Sequence, residues 1–204
     1  MSDYSQTRME ITERQQEIIY AAGRILTSSG IHGLTIKNLA KEMKFSESAV
    51  YRHFASKEDI IIGMLNYLAE SMNTRFQNAI SEDDPIEDRF RALFVSQFNF
   101  FNQHPYFTVA VFSDGLLEES KNINLVINKI MQIKMKYLMP VVHQGQQEGV
   151  FTKAVTTEDL LHIVMGSLRL LMYKWKISNF EFDIKRYGEN MIETNLILIR
   201  TKNK

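Results

Sequence analysis

The side chains best suited to binding chemistry lie between residues 35 and 58 of this 204-residue chain. Tyrosine, histidine and lysine donate hydrogen bonds to phosphate oxygens, and arginine can pair with the edge of guanine. Two short helical patterns meet here at a four-residue turn, and the second carries polar residues where a core helix would be apolar. This arrangement indicates a helix-turn-helix, whose second helix enters the major groove of DNA. The predicted DNA-binding residues are Thr35, Lys37, Lys44, Ser46, Glu47, Ser48, Ala49, Tyr51, Arg52, His53 and Lys57.

Local charge supports a nucleic-acid partner, although the formal net charge of the chain is zero. Between Arg24 and Lys57 there are six lysines and arginines against two glutamates. A basic DNA-reading module attached to a neutral or acidic body would have this distribution. A solvated charged surface would look similar, so charge alone decides little.

Composition excludes several classes of protein. No apolar run approaches the roughly 20 residues that span a bilayer, and no basic segment followed by an apolar one marks a secretory signal at the N-terminus. The chain has no cysteine, so disulfides and thiolate metal sites are absent. We expect a cytoplasmic protein with no membrane partner, no cofactor and no metal.

Catalytic motifs are also missing from the sequence. There is no glycine-rich phosphate loop and no Gly-x-Ser-x-Gly elbow. Asp159 and His162 are three residues apart on one predicted helix, but the second carboxylate–histidine pair of a di-iron bundle is absent. We therefore predict no catalytic residues.

Apolar residues recur every three or four positions almost throughout, which predicts an all-α fold. Cap and turn residues divide the pattern into nine helices, with starts at Thr35, Ser46 and Ser56 and an Asp84-Pro85 start for the fifth. The predicted helices span about 12–28, 35–43, 46–54, 56–80, 84–103, 105–115, 118–147, 156–176 and 182–200. We expect a DNA-binding domain over 1–56 and a second domain over 57–204, with the helix at about 57–80 as connector.

Residues of the helix-turn-helix region resemble the signature of the tetracycline-repressor (TetR/AcrR) family. The matching positions are Gly33-Leu34-Thr35, Leu39-Ala40, Ser46, Val50 to Phe54 and Ser56-Lys57-Glu58, within about residues 14–65. The resemblance implies a nine-helix TetR-like architecture, with an N-terminal three-helix DNA-binding domain and a C-terminal helical domain for ligand binding and dimerisation. It also implies that Thr35, Tyr51, His53 and Lys57 hold phosphates. Base reading then falls to Glu47, Ser48, Ala49 and Arg52.

Two positions depart from the family pattern. Lys44 stands where the turn usually carries glycine, so a non-glycine residue is expected to adopt a positive φ. Glu47 stands where a basic residue is frequent, and an acid facing phosphates lowers non-specific affinity.

The C-terminal two-thirds is rich in phenylalanine and methionine, which are usually core residues but also line apolar pockets. The resemblance implies a pocket for an apolar or amphipathic small-molecule effector in this part of the chain. The predicted lining residues are Phe98, Phe101, Phe107, Phe112, Met135, Met139, His143, Met165, Arg169 and Tyr173.

The eighth and ninth predicted helices are apolar around most of their circumference, and so need another surface to cover them. A monomer that buries both helices in its own core is one solution, and the resemblance implies a four-helix homodimer interface instead. The predicted interface residues are Leu161, Val164, Leu168, Leu171, Trp175, Met191, Leu196 and Ile199.

These features together predict a homodimeric, ligand-responsive transcriptional regulator, a repressor rather than an activator, on a pseudo-palindromic double-stranded DNA operator. One alternative is a helical small-molecule binding protein with a degenerate DNA-binding module, which Lys44 and Glu47 favour. Another is an all-α enzyme, whose turnover would depend on His104, His143 or His162.

Overall fold

The computed structural model describes residues 11–112 and 120–201, and this part of the chain folds into nine α-helices. Their bounds are α1 Glu13–Gly33, α2 Ile36–Met43, α3 Glu47–Tyr51, α4 Lys57–Ala79, α5 Ile86–Gln103, α6 Tyr106–Phe112, α7 Lys121–Gln147, α8 Thr157–Ile177 and α9 Ile184–Ile199. The predicted all-α, nine-helix fold is confirmed for the described residues. A single antiparallel bridge joins Phe151 to Arg200 and holds the end of α9 against the α7–α8 connection.

Side-chain caps begin the four N-terminal helices, as the sequence predicts. The hydroxyls of Thr12, Thr35, Ser46 and Ser56 each accept a hydrogen bond from the backbone N–H three residues later, at 3.1–3.2 Å. Each cap satisfies an N–H group that would otherwise lack a partner, and contributes about 1 kcal/mol. The four starts are therefore favoured by contacts within three residues of each cap.

The break predicted after residue 28 is present at Gly30, which leaves the helical conformation at φ 66°, ψ −172°, and a short helical segment then continues α1 to Gly33. The start of the fifth helix differs from the prediction. Helix α5 begins at Ile86, not at an Asp84 cap, because the Asp84 carboxylate accepts the N–H of Ser81 and so closes the preceding turn. The predicted end of the sixth helix at 115 and start of the seventh at 118 lie outside the described residues.

The turn between α2 and α3 places Lys44 in the left-handed region, at φ 57° and ψ 39°. Its N–H donates to Lys41 O at 3.2 Å and so closes the end of α2. The predicted positive φ is confirmed. Lys44 adopts this conformation at a position where glycine would do so without steric cost.

Helix α4 belongs to both halves of the molecule. It packs with α1 of the DNA-binding half and with α5, α6 and α7 of the C-terminal half. The buried apolar residues form one continuous cluster from the helix-turn-helix to the C-terminal helices. The α4 side chains in this cluster are Ile60, Ile61, Met64, Leu65, Leu68, Ala69, Met72 and Phe76.

Replacement of Lys44 by glycine is expected to raise the free energy of unfolding by about 1 kcal/mol, because it removes the cost of a left-handed lysine. Lys41→Gly in helical α2 is the matched control, and should lower it by about 1 kcal/mol. Urea denaturation at fixed protein concentration measures both. A neutral or destabilising Lys44→Gly substitution would show that the turn carries no strain.

Candidate DNA-binding surface and ligand cleft

Helix α3 is five residues long and presents a polar face to solvent. Val50 is fully buried and Phe54 is half-buried, and together they attach α3 to the domain core. Tyr51 is 51% exposed, and Glu47 and Arg52 are also exposed. The core contacts are therefore made by the apolar positions, which leaves the polar ones available to a partner.

The remaining predicted DNA contacts surround this face. Thr35, Lys37, Lys44, Ser46 and Ser48 are exposed, and Ala49 is half-buried. Thr35 and Ser46 are the N-caps of α2 and α3, so the free N–H groups and partial positive charge of both helix starts lie beside them. The exposed hydroxyls, cations and helix starts of α2 and α3 are the groups that contact phosphates in protein–DNA complexes.

Two predicted phosphate-binding residues have contacts within the chain. The Lys57 ammonium donates to the carbonyl oxygen of Ile31 at 3.0 Å, which ties the first turn of α4 to the end of α1. His53 is half-buried, and its carbonyl accepts from Gln15 Nε2 at 3.3 Å. Both residues therefore also position the helices of the domain.

A polar aromatic cluster, which we call the tyrosine cluster, joins α1 to α4 and α6. Its members are Gln16, Tyr20, Tyr67, His104 and Tyr106. The hydroxyls of Tyr20 and Tyr67 lie 3.0 Å apart, and Gln16 Nε2 donates to both at 2.8 and 3.1 Å. Burial, with a further contribution from Tyr20, raises the pKa of Tyr67 to about 12. The phenol therefore stays neutral and keeps its hydrogen bond at physiological pH.

A second contact links α4 to the start of α7. The Glu58 carboxylate accepts from Ser120 Oγ at 2.6 Å and from Asn122 Nδ2 at 3.1 Å. These two hydrogen bonds lower the pKa of Glu58, so the carboxylate remains charged at neutral pH. Ser120 is also the N-cap of α7, so one residue begins α7 and attaches it to the DNA-binding half.

An apolar cleft of about 350 Å³ lies between α6, α7 and α8. Its volume is within the range of small-molecule sites. The described lining residues are Val111, Phe112, Ile127, Ile130, Met131, Lys134, His162, Met165, Gly166, Leu168 and Arg169. Lys134 is 3% exposed and also lines a void of about 10 Å³ beyond the cleft, next to Gln97.

Two family models match consecutive parts of the chain. Residues 18–64 match bacterial regulatory proteins of the tetR family, and residues 65–199 match the C-terminal region of YsiA-like proteins. The second match alone covers more than half of the chain. The chain belongs to the tetR family of bacterial regulatory proteins. It is a helix-turn-helix regulator that binds DNA, as predicted from residues 35–58.

Proteins of similar sequence align with most of this tetR-family chain. The nucleoid occlusion factor SlmA from Photobacterium profundum is 27% identical over 176 residues, which cover 84% of this chain and 88% of that protein. The HTH-type transcriptional regulator YuxN from Bacillus subtilis is 26% identical over 185 residues, covering 89% of this chain and 64% of YuxN.

Solved structures share the whole fold at lower identity. The fatty acid degradation regulator FadR from Bacillus halodurans has a TM-score of 0.82 at 17% identity, covering 94% of this chain and 98% of that one. FadR from Bacillus subtilis, in complex with stearoyl-CoA, has a TM-score of 0.77 at 17% identity, covering 89% of this chain and 97% of that one. At this identity the likeness establishes the architecture alone.

The predicted ligand residues of this tetR-family protein divide between the cleft and the core. Phe112, Met165 and Arg169 line the cleft, and Tyr173 lies in a shallow recess beside it, with Phe112 and Arg169. Met135 is half-buried against the core, and Met139 and His143 are exposed on α7; these three are absent from the described lining. Phe98, Phe101 and Phe107 are buried in the core and are not among the described lining residues of the cleft, so their role in ligand binding stays a prediction.

Two buried polar residues were not predicted from the sequence, Lys134 in the cleft and Gln97 across the small void beside it. Lys134 interrupts the apolar stripe of Ile123, Ile130 and Leu138 on α7, and Gln97 interrupts that of α5. Both could have been identified in the sequence as polar residues at positions where the helical stripe is otherwise apolar.

The residues of the predicted dimer set lie mostly within the protomer. Leu161, Val164, Leu168, Trp175, Leu196 and Ile199 are each at most 3% exposed within the protomer. Leu171 and Met191 are half-buried against the same core. These side chains are occupied by the protomer's own core. The exposed apolar residues of α8 and α9 are instead Ile163, Leu170, Tyr173, Ile177, Tyr187, Ile197 and Leu198.

The described residues contain neither a membrane span nor a cluster of metal-ligating side chains. No helix among them is long and apolar enough to cross a membrane. No group of three or more histidines, aspartates and glutamates within the described ranges is arranged to hold a metal ion. Asp159 hydrogen-bonds to the Thr156 hydroxyl at 2.7 Å, as part of the cap of α8.

Replacement of Glu47 by glutamine is expected to strengthen binding to random-sequence duplex by roughly threefold, because it removes a negative charge that faces phosphates. Fluorescence anisotropy at one fixed salt concentration measures the change. Glu158→Gln removes a first-turn acid from α8, away from the DNA-binding end, and should leave affinity unchanged. Equal effects of the two substitutions would show that Glu47 acts only through net charge.

Proposed function

We propose that this protein is a homodimeric transcriptional repressor that binds a pseudo-palindromic operator through α3 and leaves it when a small molecule occupies the cleft. The observation that carries the proposal is the exposed polar face of α3 beside two capped helix starts, in a chain of the tetR family. Two copies of α3 would enter successive major grooves about 34–36 Å apart.

The cleft supports control by a ligand because its walls contact the DNA-binding half. Helix α6 packs on α1 so closely that a Cβ on Gly23 would lie 2.4 Å from the Tyr106 ring. Helix α7 is bound to α4 through Ser120 and Glu58. A ligand that separates α6 from α7 would therefore displace α1 and α4, on which the orientation of α3 depends. Such a ligand shifts the equilibrium only by its difference in affinity between the two arrangements.

The exposed apolar residues of α8 and α9 support a dimer. Ile163, Leu170 and Ile177 recur every seven residues along α8 and so form one stripe, with Gly166 and Tyr173 between them. Spacing of three and four residues is the pattern of helices that pack side by side. A second copy would cover this stripe together with Ile197 and Leu198 of α9.

DNA binding is tested with a duplex from the region upstream of the protein's own gene, compared with a random duplex of equal length. Arg52→Ala is expected to weaken binding to the upstream duplex by about 1–3 kcal/mol, because arginine that pairs with a base edge contributes that much discrimination. Arg186→Ala, which removes the same charge from exposed α9, should retain full affinity. A salt titration accompanies each measurement, since phosphate contacts appear in its slope.

No salt-dependent preference of the unmodified protein for the upstream duplex would contradict this operator assignment. Retained small-molecule binding together with loss of all DNA binding would favour a helical binding protein with a degenerate DNA-binding module.

The dimer surface is tested by Leu198→Glu, which places a carboxylate in the proposed interface and is expected to shift the mass in native mass spectrometry from dimer to monomer. The matched control is Leu125→Glu on α7, since the two leucines are 66% and 67% exposed. The control should remain dimeric. A dimer that persists in Leu198→Glu would place the interface elsewhere.

A further inference from the structure

The inner end of the cleft contains a buried cation for which the described residues provide no ion-pair partner. Lys134 is 3% exposed, and its ammonium lies 5.6 Å from the centre of the Phe112 ring. Among the described residues, no carboxylate lies within ion-pair distance of it. Burial, together with repulsion from Arg169, lowers the pKa of Lys134 to about 8. A lysine buried at an apolar helix position costs stability unless a partner neutralises it.

A second polar group beside Lys134 is also unsatisfied. Gln97 on α5 is 1% exposed, and neither its Oε1 nor its Nε2 has a hydrogen-bond partner among the described residues. Gln97 and Lys134 line the same void, which at about 10 Å³ is close to the lower limit for one water molecule. Buried amides are nearly always hydrogen-bonded, so an amide with both atoms unpaired indicates a missing partner.

The rest of the cleft determines the charge and shape of that partner. Its described walls are otherwise apolar, chiefly Ile127, Ile130 and Met131, and its remaining ionisable residues are His162 and Arg169. None of the described lining residues is acidic. An anionic group is therefore attracted to the inner end, and a cationic ligand would be repelled.

We propose that the effector is a small apolar carboxylic acid, whose carboxylate accepts hydrogen bonds from the Lys134 ammonium and the Gln97 carboxamide while its hydrocarbon body fills the cleft. This inference rests on the proposed ligand control and adds the chemical class of the ligand. The acid enters with its polar end first, because Lys134 is a buried cation, whereas His162 and Arg169 of the same lining are exposed to solvent. Its carboxylate supplies the charge and the acceptor atoms that the buried pair lacks.

The test uses decanoate as probe, with methyl decanoate as a neutral analogue of the same chain length. Isothermal titration calorimetry on the full chain is expected to show decanoate binding roughly tenfold or more tightly than the ester. Lys134→Met should weaken decanoate binding by roughly tenfold to a hundredfold and leave the ester at least as tightly bound. Gln97→Leu should weaken decanoate binding to a smaller extent.

Lys136→Met is the matched control, because Lys136 is an exposed lysine of the same helix whose ammonium contacts Asn73, away from the cleft. It should preserve the preference for decanoate. Lys134→Met is also expected to raise the melting temperature of the ligand-free protein, because it replaces a buried charge with an apolar chain of similar length. That gain distinguishes a ligand-binding lysine from one that stabilises the fold.

Equal affinity for acid and ester, or a preference that survives Lys134→Met, would overturn the inference. The same samples are also tested for binding to the upstream duplex in the absence of decanoate. This second measurement tests the proposed regulator independently of the proposed effector. Selective DNA binding without a preference for the acid contradicts only the proposed carboxylic-acid effector and leaves the proposed regulator in place. A preference for the acid without DNA binding contradicts the regulator and leaves the cleft assignment in place.

Discussion

One apolar core runs from the DNA-binding helices into the C-terminal bundle, and α4 carries it from one to the other. Ile60, Ile61 and Met64 lie near the start of α4, and Leu68, Met72 and Phe76 lie further along the same helix. Because protein interiors are packed as densely as crystals, α4 cannot shift at one end without moving its neighbours at the other. The hydrogen bonds of Lys57 and Glu58 hold the first turn of α4 to α1 and to α7. The position of α3 therefore depends on the packing of the C-terminal helices as well as on its own domain.

The same continuous core makes the unpaired polar groups around the cleft informative. Lys134 and Gln97 occupy helix positions where their neighbours are apolar, and an apolar side chain at either place would stabilise the protein. Local rules of sequence and structure are most often broken at functional sites, where stability is given up for binding. The carboxylate inferred for the effector would supply the missing partner. Binding of the effector in the cleft would therefore also change the packing of α5, α7 and α8.

The helices could be predicted from the sequence because their signals are local. Thr35, Ser46 and Ser56 each supply a cap within three residues, and Lys44 occupies a turn whose backbone geometry is fixed by its length. Asp84 misled the prediction, since the Ser81 N–H competes for its carboxylate and this contact is not visible in an N-cap pattern. The cleft was harder to predict, because Phe98, Phe101 and Phe107 have the composition expected of pocket walls. Whether such a ring faces a void or another side chain depends on helices distant in sequence.

The choice of face on α8 shows the limit of periodicity most clearly. Leu161, Val164, Leu168 and Trp175 form one apolar stripe, and Ile163, Leu170 and Ile177 form another on the opposite side. The hydrophobic pattern is equally good for both, so the sequence cannot say which stripe faces the protomer core. Packing against α6, α7 and α9 selects the first stripe and leaves the second exposed. Gly166 lies within the exposed stripe with open space around it, so a second helix could approach closely there. The sequence shows that α8 has two apolar faces that need to be covered. The protomer core covers one of them, and the proposed second copy would cover the other.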